Sequence, residues 1–358
     1  MSINSPILLI EINKYEFIFL AGYLEKNDEF KLTYKNSIPI SGFSDNRISD
    51  FNEIYNLFKK NIYLIEKKLN FTFKEAIIII DNFEYLLTSL SGFKNLNGSQ
   101  LVKENITFIL NSIKFKINEF EKNKTILHIF NSKFLLDKKE IENLPIGLFG
   151  DFYSHELSFF LINNNDFKNL ENILNSCNLK LKKIISKSFV EGVNIINNNL
   201  NLETFFKIEI NDMNSKILYF ENSALKFLQE FQFGSEIVIK DISKILNLQS
   251  DVVKNILKNS NFSNENLEKD FLEKEYFNDK NFRKIKKKLI IDIANARIKE
   301  ISDIILIKNI NTSSFLKPDI PIFLKINEDF DNFFISSYEL FFSNKNNFKI
   351  NILEKNFF

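Results

Sequence analysis

The apolar pattern from Ile7 to Leu24 fits two strands joined by a tight turn, and β-branched and aromatic residues from Lys31 to Ile40 fit a third. From Asp50 to Leu69 the period changes. Phe51, Ile54, Leu57, Phe58, Ile62 and Ile65 recur at helical spacing and predict an amphipathic helix. The short apolar run AIIIID (Ala76 to Asp81) then predicts a strand buried on both faces, its carboxylate at the C-terminal end. Strands, helix and buried strand in that order place the chain in the α/β class.

From about Asn82 to Lys182 the pattern reads as a separate unit: a strand, a helix (Gly98 to Phe120), two or more strands, a helix (Asp166 to Cys177) and a strand. Asp166 is the expected N-cap of the second helix, and Asn178 is placed to end it in the left-handed conformation. A further helix is predicted over Ser186 to Ile196, a Lys-rich helical stretch over Asn281 to Ile307, and a last strand over Ile320 to Ile326. Two segments half a chain apart share one pattern. In ILLIEINKYEFIFLAGYLE and FFKIEINDMNSKILYFE, an apolar strand runs into Glu-Ile-Asn at a turn and a second strand leaves it. This repeat suggests a duplicated site with Glu11 and Glu209 at equivalent positions.

Composition narrows the function classes. In 358 residues, 47 Lys plus Arg nearly balance 46 Asp plus Glu, so no global field draws the chain to nucleic acid or an anionic membrane. Cys177 is the only cysteine, which excludes an intrachain disulfide framework and a cysteine zinc site. His128 and His155 are the only histidines, so metal binding and His-based catalysis are poorly supplied. His128 lies in an apolar run and reads as a core residue, and Cys177 as a buried one. Glu11, Lys14 and Glu16 interrupt the first apolar stretch, so no signal peptide is expected. No run reaches the roughly 18 uncharged residues of a spanning helix, and the expected location is cytosolic or on the inner membrane face.

These motifs carry a resemblance. The first segment is similar to the first phosphate motif of the bacterial cell division protein family FtsA, D-I-G-T-S-K followed by a strand, and IEINDMNSKILYF to the second, D-I-G-G-G-T-T-D. The stretch ILHIFNSKFLLDKKEIENLPIGLFGDFYSHELSFFLI, followed by NLENILNSCNLKLKKII, resembles the insertion called subdomain 1C, or SHS2, found in that family. SALKFLQEFQFGSEIVIKDISKILNLQSDVVKNIL and IIDIANARIKEISDIIL resemble the segments that build subdomain 2B. The resemblance implies an actin-like, ribonuclease H-like two-domain α/β fold. Subdomain 1A would take residues 1–81 and 183–202, 1C residues 82–182, 2A residues 203–233 and 308–343, 2B residues 234–307, and a tail residues 344–358.

The departures from the family bear on chemistry. Where the family needs Asp for Mg²⁺ and Gly for close approach of backbone N–H groups to phosphate, this chain has Glu11, Asn13 and Lys14 at the first turn. At the second it has Glu209, Asn211, Asp212, Met213 and Lys216. Met213 is expected to suffer a steric penalty at positive φ and to occupy the phosphate space. The glycine-rich adenosine motif expected between Ile304 and Phe323 is absent. These eight residues therefore read as a degenerate nucleotide site with no cofactor and no catalytic residue, Lys14 and Lys216 forming salt bridges to the glutamates.

The resemblance further implies that the RKIKKK cluster and its helix receive the acidic C-terminal peptide of FtsZ, through Arg283, Lys286, Lys287, Arg297 and Glu300. It also implies that Phe348 to Phe358 form an amphipathic membrane helix, with Phe348, Ile352, Leu353, Phe357 and Phe358 meeting anionic inner-membrane lipids. The reading that results is a diverged adaptor. It would tie FtsZ filaments to the cytoplasmic face of the inner membrane at midcell, assemble with itself and recruit later division proteins. The rivals are a pilus-type actin-like adaptor similar to PilM and a nucleotide-binding ATPase of the same superfamily.

Overall fold

The computed structural model describes residues 5–25, 30–44, 46–81, 83–259, 270–277, 282–326, 332–343 and 348–353. The chain divides into two compact units, Met1–Asn199 and Leu200–Phe358.

In the first unit, β1 (Ile7–Ile12) and β2 (Glu16–Leu24) form the expected antiparallel hairpin, and β3 (Phe30–Pro39) continues it. The two-residue strands β4 (Phe43–Ser44) and β5 (Arg47–Ile48) pair with each other. Helix α1 (Phe51–Leu69) starts where Asp50 accepts from the Glu53 amide and ends at Asn70 in the left-handed conformation. Its buried stripe is Ile54, Phe58, Ile62 and Ile65, while Phe51 is exposed and Leu57 half-buried.

Strand β6 (Glu75–Ile80) runs parallel to β1. It buries Ala76, Ile78 and Ile80 but leaves Ile77 and Ile79 half-buried, so only one face is sealed, contrary to the two-sided burial its continuous apolar run predicts.

An inserted unit follows. Strands β7 (Tyr85–Asn95), β8 (Lys124–Leu136), β9 (Lys139–Ile141) and β10 (Phe152–Asn163) form an antiparallel sheet in the order β7-β10-β8-β9. Helix α2 (Lys103–Phe120) packs on it through Ile109, Ile113 and Ile117. This helix starts five residues later than the sequence suggests. Gly98, at φ +76°, turns the chain, Gln100 bridges to Phe149, and the Asn105 side chain accepts from the Val102 amide to open the helix.

The insert ends near Asn163, not at residue 182. Helix α3 (Asn164–Ser176) packs on α1, and β11 (Lys180–Ser186) pairs parallel with β6, so both belong to the first sheet. Asp166 is not the N-cap. Asn163 takes that place, and Asp166 is buried in the first turn, where burial raises its pKa. Asn178 does close the helix at φ 58°. Helix α4 (Lys187–Asn198) completes the unit.

The second unit repeats this plan. β12 (Phe205–Ile210) and β13 (Ser215–Glu221) form the second hairpin and β14 (Ala224–Phe231) extends it. Helices α5 (Glu236–Leu246), α6 (Ser250–Asn259) and α7 (Lys287–Ser302) follow. α7 begins six residues later than the predicted Asn281, which lies outside the described residues, and runs into a π-helical turn, Asp303–Ile307.

β15 (Ile322–Ile326), α8 (Asn332–Ser343) and β16 (Ile350–Ile352) close the unit. The two five-stranded sheets have the same order: β3-β2-β1-β6-β11 in the first and β14-β13-β12-β15-β16 in the second. In each, an antiparallel meander is joined to two strands parallel to its first. The repeated Glu-Ile-Asn segments are therefore the first strands of two equivalent sheets. Val238, Ile239, Ile290, Ala294 and Ile298 share one core with Phe206, Ile208 and Ile210, so residues 234–307 have no separate core from the sheet.

The tail is also corrected. Ile350–Ile352 is a strand, not an amphipathic helix, and it pairs parallel with β15. Phe348 and Leu353 are buried, so neither is available to a lipid surface, and of the described tail residues named for the membrane only Ile352 is exposed. Phe357 and Phe358 lie outside the described residues.

Candidate functional site

In an open α/β sheet, the carboxyl ends of the parallel strands are where side chains converge on a ligand. In the first unit the register brings three such ends together. Ile12 pairs with Ile80, Ile80 pairs with Ser186, and the Asp81 amide donates to the Ile12 carbonyl at 3.0 Å. Glu11, Asp81 and Lys187 thereby share one edge. Lys187 Nζ donates to Glu11 Oε1 at 2.7 Å, and both side chains are largely buried.

Burial alone would lower the Lys187 pKa, yet the negative field of Asp81, Glu11 and Glu191 and the bond to Glu11 raise it overall. The cation at this edge is thus Lys187. Lys14, which the sequence reading paired with Glu11, is exposed and lies 6.0 Å from the Tyr15 ring. Lys187 opens a helix with no distinctive motif, so only the parallel register could have pointed to it.

The backbone at the turn is committed as well. Asn13 Oδ1 accepts from the amides of Tyr15 and Glu16, both at 2.9 Å, and Asn13 Nδ2 donates to Glu11 Oε1 at 3.4 Å. Asn13 acts as an internal acceptor where a glycine would leave N–H groups free. Next to this edge, the Ser186 amide donates to His128 Nε2 on β8 at 3.1 Å, which ties the insert to the start of α4. Burial pushes the His128 pKa down to about 4, with the Lys183 charge adding to it, so the ring is neutral and can accept. Its position as a packed residue agrees with the sequence reading: it lies among Phe130, Phe160 and Phe189.

The second unit builds a related cluster from one row across its sheet. Glu209 on β12 faces Lys216 on β13 and Lys325 on β15, and Glu230 on β14 faces Lys216. Lys207, two residues before Glu209, is 0% exposed and donates to Glu209 Oε2 at 3.2 Å. Burial alone would raise the Glu209 pKa, but Lys207, Lys325 and Lys216 together hold it well below the usual carboxylate range. Lys216 contributes to that field, stands opposite Glu209 in the ladder, and also pairs with Glu230 at 3.4 Å.

The turn between β12 and β13 closes on itself. The Asn211 amide donates to the Asn214 carbonyl, and Asn211 Nδ2 to Asn214 Oδ1, both at 2.9 Å. The Asn211 and Asp212 carbonyls accept from the amides of Ser235 and Glu236, which begin α5. Gly234 permits this approach, since a Cβ there would stand 1.9 Å from the Asn211 oxygen. Met213 is not strained: among the described non-glycine residues with positive φ, none lies in this turn, and the side chain is 50% exposed. The penalty at positive φ expected for Met213 is therefore not incurred.

The basic segment expected to receive an acidic peptide is largely engaged internally. Arg283 lies before α7 and outside any helix, so it does not share a helical face with Arg297; its guanidinium donates to the Asn247 carbonyl at the end of α5, at 2.7 Å. Lys287 is buried and bonded to Glu273 at 2.8 Å. Arg297 binds Asp241 on α5 and, at 2.6 Å, Glu300 on its own helix. Of the five residues, Arg283, Lys286 and Glu300 are exposed, and Lys286 has no ion pair among the described residues.

No protein-family model matches the sequence, and no curated protein matches it significantly. Solved structures do match. The PilM–PilN type IV pilus biogenesis complex is similar at 7% identity and a TM-score of 0.57, over 98% of this chain and 88% of that one.

The fold is actin-like.

Weaker likenesses are to the ethanolamine utilization protein EutJ from Carboxydothermus hydrogenoformans (7% identity, TM-score 0.47, 97% and 84% covered) and to MreB5 of Spiroplasma citri bound to AMPPNP (10%, 0.44, 97% and 91%). An actin-like fold raises the question of a magnesium nucleotide, and these residues do not fit one. The amides of Tyr15, Glu16, Asn211, Ser235 and Glu236 are donated within the protein, and an ammonium group rests on the carboxylate that would face a metal. Among the described residues, no group of three or more His, Cys, Asp or Glu is arranged to hold a metal ion, and no helix is long and apolar enough to cross a membrane.

Proposed function

We propose that the protein is a non-catalytic actin-like adaptor, a scaffold that binds a short segment of another protein and turns over no nucleotide. The observation that carries this reading is Lys187 on Glu11 at 2.7 Å: the ammonium neutralises the carboxylate with no exchangeable ion. Calorimetric titration with ATP and Mg²⁺ tests it. No heat of binding at millimolar ATP is the expected result, and micromolar affinity overturns it.

The finer reading is a division adaptor of the FtsA type, tying FtsZ filaments to the cytoplasmic membrane at midcell and assembling with itself. The resemblance of the insert and of the α5 to α7 segment supports it, and Arg283, Lys284 and Lys286 remain exposed toward an acidic peptide. The second reading is a pilus-type adaptor that binds a peptide from a membrane pilus protein. The likeness to the PilM–PilN complex favours it, as does a tail that forms a strand where a membrane helix was expected. Fluorescence anisotropy with the two labelled peptides from the same organism separates them: binding of the FtsZ C-terminal peptide alone supports division, and binding of the pilus peptide alone supports the pilus.

A further inference from the structure

Strand β7 is the outer strand of the insert's sheet and pairs with β10 on one side only. Long edge strands are templates for pairing, and proteins usually guard them with charged residues, Pro or bulges. The edge of the first sheet is guarded in this way, since β3 carries Lys31 and Lys35. β7 is eleven residues long and has no charge and no Pro between Glu84 and Lys94. Ser89, Leu90, Ser91 and Phe93 are exposed, Phe93 at 63%. Among the described residues, the backbone from 86 to 95 makes no backbone hydrogen bond outside the ladder to β10.

We propose that β7 pairs with β7 of a second copy of this chain, antiparallel about a two-fold axis at Ser89, so that two four-stranded sheets become one continuous sheet. The register follows from charge. A two-fold at Ser89 sets Lys94 opposite Glu84 of the second copy, Phe93 opposite Tyr85, Gly92 opposite Leu86 and Leu90 opposite Thr88. Moving the axis to Thr88 or Leu90 leaves both charges facing uncharged residues.

The two charges can meet. Glu84 keeps 59% of its side chain exposed although it binds Arg47 at 2.9 Å, so a second cation can reach it. Gly92 and Lys94 both face α2, a Cβ at Gly92 meeting Ile109 and the Lys94 ammonium lying 4.5 Å from the Phe108 ring. Pairing at this register therefore puts both α2 helices on one face of the joined sheet. The proposal goes beyond the adaptor reading and does not depend on it.

Sedimentation velocity of the full chain from about 1 to 100 μM tests the pairing, with a concentration-dependent dimer as the expected result. Lys94→Glu, which opposes two carboxylates, weakens that dimer at least about tenfold, and Lys94→Glu combined with Glu84→Lys restores it. In a Cys177→Ser background, Ser89→Cys forms a disulfide-linked dimer under mild oxidation faster than Ser112→Cys on the exposed side of α2. Opposed residues of an antiparallel pair lie about 4.5–5.5 Å apart at Cα, within disulfide range. A monomer throughout that range, a dimer indifferent to Lys94→Glu, or equal crosslinking at the two positions overturns the proposal. A monomer would leave the edge to a strand from a different protein.

Discussion

Replacing Lys187 by Met removes one charge and keeps most of the side-chain volume, so it isolates the electrostatics of the first-unit edge. At 2.7 Å the attraction between Lys187 and Glu11 is about 6 kcal/mol for an effective dielectric near 20. Desolvation of both groups offsets much of it. An exposed pair would contribute at most about 1 kcal/mol, whereas breaking a buried pair costs about 3–5 kcal/mol because the remaining charge has no partner. With 25% and 15% of the two side chains exposed, this pair lies nearer the buried case, and a loss of about 3 kcal/mol is expected at neutral pH. In a unit of this size that lowers Tm by about 6–12 °C.

The sign with pH is specific. In the wild type, Lys187 has a folded pKa raised above 10.5, so its stabilisation is complete below that pH and is lost as pH rises through the folded value. In Lys187→Met, the field of the Glu11, Asp81 and Glu191 carboxylates no longer acts on an ammonium. The wild-type advantage is therefore present through neutral pH and is lost only as pH rises through the folded lysine value. Thermal melts of both proteins from pH 4 to pH 9, with exposed Lys14→Met as control, measure this. A Tm within about 2 °C of wild type at pH 8 refutes the assignment of Lys187 as the internal cation.

Other outcomes follow from the same contacts. His128 and His155 are both held neutral by burial, with pKa values of about 4, so the stability they confer is present above 6.5 and lost as pH falls toward 4; His128→Gln should flatten part of that loss in acid titrations followed by circular dichroism. Gly234→Ala forces a methyl against the Asn211 carbonyl and should cost about 1–3 kcal/mol by denaturant melts, an unchanged midpoint contradicting the close approach. Removing residues 348–358 takes Phe348 out of the core and β16 out of the sheet, so it should lower Tm and speed proteolysis of the second unit whatever it does to vesicle binding. Arg297→Glu sets two carboxylates against the new one on α5 and α7, so it should destabilise the fold as well as any peptide site, and its peptide affinity is informative only beside a melt.

The hairpins, the α1 helix and the class of fold were legible because each is a local pattern: a turn between apolar runs, a 3.6-residue period, a capping Asp50 and a closing Asn70. The duplication was legible for the same reason, since two first strands must carry their glutamates at the same place along the turn. What the hairpin turns do with their backbone was not legible. Asn13 folds its side-chain carbonyl back onto two amides and Met213 avoids positive φ, and those choices depend on hydrogen bonds that composition does not encode.

The partner of Glu11 lies 176 residues away at the start of α4 and is chosen by the parallel pairing of β1, β6 and β11. Arg283 was misplaced because a Lys-rich run has helical composition whether or not it is helical; here the helix begins only at Lys287, which sinks onto Glu273. Phe348 to Leu353 has the composition of either an interfacial helix or an edge strand, and the open side of β15 made it a strand. Local periodicity therefore determined the elements and their repetition. The charge pairing at the turns and the fate of the tail were decided only where distant strands met, because a charge in a protein is neutralised by whatever the fold brings beside it.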